Sequence, residues 1–320
     1  MLLEITKAGK FSGIVAHNVE NFTIGDNPCL PGIIAGVFGW EAIQINFTTN
    51  NEDAVSIGAC RKGQKIVMLP HFSYGPTIDS DIAKDLLQAL KKQGFVCEWR
   101  LSTKISAFTF TDKATTLLPL QSHTDLQFNQ FSSNLRRKIR KCASNNIKFI
   151  SGKSELITDF YEVYSHNMHR LGSPAQPLSW FLALIEKYCN GEARIWCAYL
   201  EQKPVGAAFM LEYQGFYEAC WVSTLVRYNK LYISYGLYWE MIRYAIEGKG
   251  AQFSFGRSTI DSGVHKFKQQ WGGHDLQLYW NYSHPQGTNI RKFQFLVNLW
   301  KLLPYRVAKQ LGPVVSGWFY

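Results

Sequence analysis

The chain reads as an α+β protein in which two related mixed-sheet units stand in tandem, followed by an amphipathic helical tail. Three observations predict this. At 320 residues it is longer than one typical core needs. A hairpin–helix–strand order seen near residues 54–101 recurs near 194–255, with ALKKQGF in the first copy and AIEGKGA in the second at equivalent places. Beyond residue 291, apolar residues at helical spacing alternate with lysine and arginine. Hydrophobic residues make up 46% and aromatics 15%, a globular rather than a disordered composition.

Taken in order, residues 54–60 and 65–69 alternate apolar and polar around Arg61-Lys62-Gly63, which predicts a hairpin. After the turn-rich PHFSYGP at 70–76, Asp79 or Asp81 caps a helix with Ile82, Leu86, Leu87 and Leu90 on its apolar face, and Gly94 stops it. A strand follows at 95–101. In FSSNLRRKIRKCASNN, residues 131–146, Ser132 or Ser133 caps a short helix on which Leu135, Ile139 and Cys142 form a buried stripe. Its basic groups, Arg136, Arg137, Lys138, Arg140 and Lys141, either face water or hold phosphates. Helices are predicted at 155–171 and 178–188 around Pro174 and Pro177, strands at 194–200, 205–212 and 216–223, a helix at 231–247 and a strand at 253–255. Tyr228, Tyr232, Tyr235, Tyr238 and Trp239 cluster near that last helix; their spacing suits core packing, with Tyr232 and Tyr235 placed to reach a ligand.

Residues 251–273, AQFSFGRSTIDSGVHKFKQQWGG, carry the most chemistry. An apolar strand meets Gly256, and Arg257, Ser258 and Thr259 place donors at its end. Lys266 and Lys268 flank Phe267, and Trp271 before Gly272-Gly273 offers a flat wall. The same pattern also describes a turn with solvated charges and core aromatics. In the tail, Phe293, Leu296, Trp300 and Leu303 share one face and Gln294, Asn298 and Lys301 the other, until Pro304. Arg291, Lys292, Lys301, Arg306 and Lys309 make this segment basic, suited either to packing on the second unit or to lying on an anionic membrane surface.

The 34 basic against 24 acidic residues, a net +10, favour an anionic partner. The seven cysteines are scattered and odd in number, so neither a disulfide framework nor a zinc site is expected, and free thiols in a cytoplasmic protein are. The start, MLLEITKAGKFSG, lacks a secretory pattern. Of the histidines, His166 and His169 share a helix face without an acidic ligand pattern, so no metal is expected; His71 and His265 lie beside the candidate loops as bases or as structural hydrogen-bonding groups. No serine sits in a nucleophile-elbow pattern, which argues against a hydrolase.

Five segments together resemble the FemAB-like branch of the GNAT acyltransferase superfamily, and within it the FemAB-related proteins associated with exosortase (PEP-CTERM) systems. They are LPHFSYG at 69–75, SSNLRRKIRKC at 132–142, FGRST at 255–259, FKQQWGG at 267–273 and FLVNLWKLLPYRVAKQLGP at 295–313. The resemblance implies two GNAT-like domains, at 1–131 and 151–285, joined by a basic linker helix and crossover strand at 132–150 and followed by a tail at 286–320. It implies transfer of an acyl or aminoacyl group to an amine of a cell-envelope or exopolysaccharide precursor, with aminoacyl-tRNA or acyl-CoA as co-substrate. The protein is then cytoplasmic, peripheral at the inner face of the membrane if the tail binds lipid. The family's Phe-Lys pair maps onto Phe267-Lys268, making Lys268 the cation near a developing oxyanion and Arg257 a second anion contact. Tyr74, Ser258, Lys266, Trp271, Tyr235, Arg136 and Arg140 are the expected substrate contacts. One departure bears on the donor. The stretch where GNAT enzymes carry a glycine-rich pyrophosphate loop is Arg227–Tyr232 here, RYNKLY, without glycine, which favours aminoacyl-tRNA or another phosphorylated donor over acyl-CoA. Two alternatives stand beside this reading: an acyl-CoA-dependent N- or O-acetyltransferase, and a non-catalytic RNA- or membrane-binding protein of the same fold.

Overall fold

The computed structural model describes residues 2–7, 22–49, 54–285 and 291–317. The first unit comprises β1 (Leu2–Lys7), α1 (Leu30–Phe38), β2 (Glu41–Thr48), β3 (Ala54–Lys62), β4 (Lys65–Met68), α2 (Ser80–Lys92), β5 (Val96–Leu101) and β6 (Phe108–Pro119). Then come α3 (Thr124–Gln130), α4 (Ser133–Ala143), β7 (Lys148–Gly152), α5 (Ile157–Leu171), α6 (Leu178–Lys187), β8 (Gly191–Leu200), β9 (Lys203–Tyr213) and β10 (Phe216–Thr224). The chain closes with α7 (Ile233–Glu247), β11 (Gln252–Thr259), α8 (Gly263–Gln269), β12 (His274–Tyr282), α9 (Arg291–Leu302) and α10 (Tyr305–Ser316).

Among the described residues, twelve strands form one sheet in the order β1-β2-β3-β4-β5-β12-β6-β11-β10-β9-β8-β7. The duplication is visible in it. β4 and β5 are parallel, joined over the sheet by α2, and β10 and β11 are parallel, joined by α7; the other neighbouring pairs are antiparallel. β12, close to the end of the second unit in sequence, inserts between β5 and β6 of the first unit and pairs antiparallel with both.

Strand periodicity decides which core each residue enters. Ile195 and Cys197 of β8 face α5 and α6, while Trp196 and Ala198 face the opposite core, which receives α4 and α7. Asp79 caps α2 by accepting from the amides of Asp81 and Ile82, and Ser132 caps α4 through the amide of Leu135. Leu135, Ile139 and Cys142 of α4 are buried as their spacing predicts. Gly236 of α7 permits this contact: a Cβ there would lie 2.7 Å from the Cys142 sulfur and 2.3 Å from the Phe149 ring.

The cysteine expectation needs correcting. Cys29, before α1, is bonded to Cys189, just after α6, across 160 residues, and Asn27 Nδ2 donates to the Cys189 carbonyl at 2.7 Å. Spacing could not reveal this pair, because the fold brings the two helix ends together. The other five cysteines are free thiols. Closing so long a loop is worth about 3–5 kcal/mol in the chain-entropy account. Reduction, or Cys29→Ser combined with Cys189→Ser, is therefore expected to lower the urea midpoint, and identical unfolding curves with and without a phosphine reductant would refute that.

The tail, left open between lipid and protein, packs on α5. The Tyr305 ring stacks on His166 at 3.6 Å, its hydroxyl lies 2.9 Å from Ser165 Oγ, and His169 Nε2 sits 2.8 Å from the Leu303 carbonyl. Gly172 and Gly312 allow the close approach, since a Cβ at either would fall within 3 Å of the facing chain. Even so, Phe295 and Leu302 remain 72% and 80% exposed, so the docked tail still presents apolar groups outward. Among the described residues no helix is long and apolar enough to cross a membrane.

Candidate active site

The second parallel pair opens into a fork. β10 and β11 share three register positions, Phe216↔Gln252, Tyr217↔Phe253 and Glu218↔Ser254, and are unpaired with each other beyond them although both strands continue. Each strand carries a bulge at that point, between Ala219 and Trp221 on β10 and between Ser254 and Arg257 on β11. Gly256 sits in the second bulge with φ +68°, and a Cβ there would stand 2.9 Å from the Ala219 carbonyl oxygen. Only glycine takes both that dihedral and that approach without strain. A cavity of about 1100 Å³ occupies the opening, bounded by β10, β11, α5, α8 and the tail.

Glu218 lies at the crotch of the fork and lines the cavity at 2% exposure. Its Oε2 accepts from the Tyr74 hydroxyl and, at 3.1 Å, from Ser254 Oγ, which in turn accepts from the Gly256 amide. Its Oε1 has only long contacts, 3.5 Å to Ser73 Oγ and 3.8 Å to Cys220 Sγ, so a lone pair is left for a ligand. Burial raises the Glu218 pKa, against the lowering effects of the Tyr74 and Ser254 hydrogen bonds and of the nearby Lys268 and Arg257 charges. Tyr74 and Ser73 come from the first unit. The segment after β4 crosses into the second unit's fork, with Leu69 and His71 both at positive φ, a conformation that non-glycine residues hold only under tertiary constraint.

Lys268 projects from α8 and is 4% exposed. Its ammonium donates to the carbonyls of Gly256 and Arg257 at 2.7 and 2.9 Å, leaving one of its three N–H groups for the cavity. Burial pulls its pKa down to about 7; the Glu218 charge opposes this and Arg257 adds to it. Arg257 also lines the cavity, with its guanidinium 5.9 Å from the centre of the Trp280 ring. Behind them, His265 fixes α8: its Nδ1 accepts from the Asp261 amide at 3.1 Å and its Nε2 lies 2.9 Å from Asp275, whose other oxygen binds Thr116. His265 is thus a structural group. His71 lines the cavity as a neutral imidazole, its pKa pushed down to about 3, mainly by burial, and its ring stacked on Phe38 at 3.9 Å.

Lys268 and Arg257 therefore meet in one hollow, and Tyr74 supports it from behind through Glu218 rather than from its wall. Other expected contacts are displaced. Trp271 is not a wall beside mobile backbone: it is 1% exposed in a core with Phe131, Tyr238 and Phe255. Tyr235 bonds Lys138 and Gln270 away from the cavity, tying α4 to α7 and α8. Ser258 is buried on the strand face opposite Arg257, and Lys266 points to solvent from α8. Neither Arg136 nor Arg140 lines the cavity: Arg136 is half-buried on α4 with its Nε buried, and Arg140 is exposed over the Phe128 ring at 5.2 Å. Glu218, not among the residues expected from sequence, had a signal: it is the one charged residue in the strand FYEACWVST and stands within its apolar stretch FYEACWV. Among the described residues no group of three metal-capable side chains occurs.

A splayed parallel strand pair joined by a crossover helix thus holds a buried carboxylate, Glu218, and a buried ammonium, Lys268, at its gap. Residues 129–269 match the model of the acetyltransferase (GNAT) domain, and the protein is an acyltransferase. The crystal structure of FemX superposes with a TM-score of 0.58 at 11% identity, covering 82% of this chain and 92% of that one. The C-terminal domain of a putative lysylphosphatidylglycerol synthetase from Agrobacterium fabrum gives 0.53 at 10% identity, over 75% and 84%. The structure of L-PGS from Bacillus licheniformis gives 0.52 at 13% identity, over 88% and 100%. At these identities the likeness is one of fold. No curated protein matches the chain.

Proposed function

We propose that the protein forms an amide bond by moving an acyl or aminoacyl group from an activated donor to an amine in the fork between β10 and β11. One observation carries this reading: Glu218, Lys268 and Arg257 converge on a single cavity, with an acceptor oxygen and donor N–H groups left free toward it. Glu218 Oε1 takes a proton from the acceptor amine, whose nitrogen attacks the donor carbonyl carbon. The carbonyl π electrons move onto oxygen, and that oxyanion lies against the remaining Lys268 N–H and Arg257. Collapse of the intermediate expels the donor's oxygen or sulfur, which takes up the proton, and the amide remains. Tyr74 and Ser254 position Glu218 by filling its other oxygen.

For the donor we favour aminoacyl-tRNA or acyl-CoA, and for the acceptor an amine-bearing cell-envelope or exopolysaccharide precursor of the kind linked to exosortase systems. The FemX and L-PGS folds, the net charge of +10 and the exposed cations Arg137, Arg140 and Lys141 of α4 support the donor assignment. The apolar residues exposed on the tail support work at the inner membrane surface. The test is mass spectrometry of reactions containing charged tRNA or acyl-CoA with amino sugars or peptide amines. An amide product is expected with one donor class. No product from either, together with salt-sensitive RNA binding abolished by neutralising Arg136, Arg137 and Arg140, would replace this reading with a non-catalytic one.

A further inference from the structure

The cavity is much larger than amide chemistry on a small group requires. Its volume of about 1100 Å³ lies at the top of the range for small-ligand sites. The charged groups used above occupy the fork. From there the cavity follows β10 through Ala219, Cys220, Trp221, Val222 and Ser223, a path of roughly 15 Å at strand rise. Met168 and Leu171 of α5 flank that path. Leu296 and Trp300 of α9, with Leu303 just beyond its end, border it as the inner stripe of a helix docked there by its contacts with α5, and Leu296 is still 48% exposed, so the path stays partly open to solvent. Most of the lining along that path is apolar, so an apolar occupant would remove that surface from water. Two arginines overlook the space, Arg257 at the fork and Arg170 beside Asn167; among the described residues neither forms an ion pair with a carboxylate.

We propose that this cavity binds a long unbranched hydrocarbon chain carrying an anionic head, so that one of the two reactants is a fatty-acyl donor or a single-chain lipid. This rests on the transfer reading for its role but not for its test. A chain laid along β10 beneath α9 replaces water against apolar walls, and its head meets the arginines. Short acyl groups such as acetyl would leave most of the space unfilled.

The experiment is calorimetric titration of the full chain with saturated acyl-coenzyme A of two, eight, twelve and sixteen carbons, below their micelle concentrations. Affinity is expected to rise about threefold to fourfold per added methylene and then level off as the cavity fills. Equal affinity for the two- and sixteen-carbon forms would overturn the proposal. Palmitoyl lysophosphatidate, titrated alongside, separates the sources. Preference for the thioester identifies the chain as the donor's, preference for the phospholipid identifies a lipid reactant, and equal binding assigns recognition to the chain alone; binding of neither overturns it. Met168→Trp should shorten the chain length at which affinity levels off. Photoreactive diazirine palmitate gives a check independent of that variant: labels are expected on α5, β10 or the inner stripe of α9, and labels confined to Phe295 and Leu302 would place the chain outside and sink the idea. Chain-length dependence without any amide product would instead defeat the transfer reading and leave the cavity assignment standing.

Discussion

Glu218→Gln is expected to lower kcat by about 10²- to 10⁴-fold with little change in KM, the loss typical of a positioned general base. The amide keeps the shape of the carboxylate, and its oxygen still accepts from Tyr74 and Ser254, so the fork should remain intact. What disappears is an oxygen able to take a proton. Because the substitution also removes a buried charge, thermal unfolding should occur at the same temperature or slightly higher. The native enzyme should show an acid limb in kcat/KM displaced upward from the ordinary glutamate range, as burial raises the Glu218 pKa, and the variant should lack that limb. Wild-type turnover in Glu218→Gln, measured on a product-forming donor and acceptor, would remove this residue from the chemistry.

Lys268→Met should produce a comparable fall in kcat, through loss of the cation beside the oxyanion, and a distinct change in pH dependence. Burial brings the Lys268 pKa to about 7, so the protonated form needed at the oxyanion is lost above neutrality and kcat/KM should decline there. That alkaline limb should vanish in the variant. Between about 7, its folded value, and 10.5, its ordinary value, the unfolded chain binds more protons at this site than the folded one. Stability contributed by the site therefore increases with pH across that window and is lost as pH falls toward 7. Wild type should gain stability relative to Lys268→Met between pH 7 and 9.5 in urea titrations; parallel behaviour of the two proteins would show that Lys268 is not held in this state.

Local chemistry made much of the architecture readable. The alternation at 54–60, the Asp79 and Ser132 caps, the stripe of Leu135, Ile139 and Cys142 and the stop at Gly94 each rest on neighbours within a few residues, and each has its counterpart in β3, α2 and α4. The repeated hairpin–helix–strand order surfaced as two parallel pairs with crossover helices. β2, whose sequence EAIQINFT alternates cleanly, carried an unused signal, as did the isolated acid Glu218. Other features have no local trace. Tyr74 reaches Glu218 across 144 residues, Cys29 meets Cys189 across 160, and the pairing of Cys97 with Ser283 spans 186. Trp271 illustrates the opposite difficulty: a tryptophan before two glycines looks the same from sequence whether it walls a ligand or fills a core, and the surrounding rings decide.

The position of β12 has a consequence for synthesis. β5 and β6 are consecutive in the chain yet separated in the sheet by a strand that ends at Tyr282. While the polypeptide emerges from the ribosome, more than half its length is made before the missing partner exists, so two unsatisfied strand edges must wait in a nascent N-terminal half. Assembly of that half is thereby tied to translation through Tyr282, and a product terminated before β12 is left with its edges bare, a substrate for chaperones and proteases rather than a free-standing fragment.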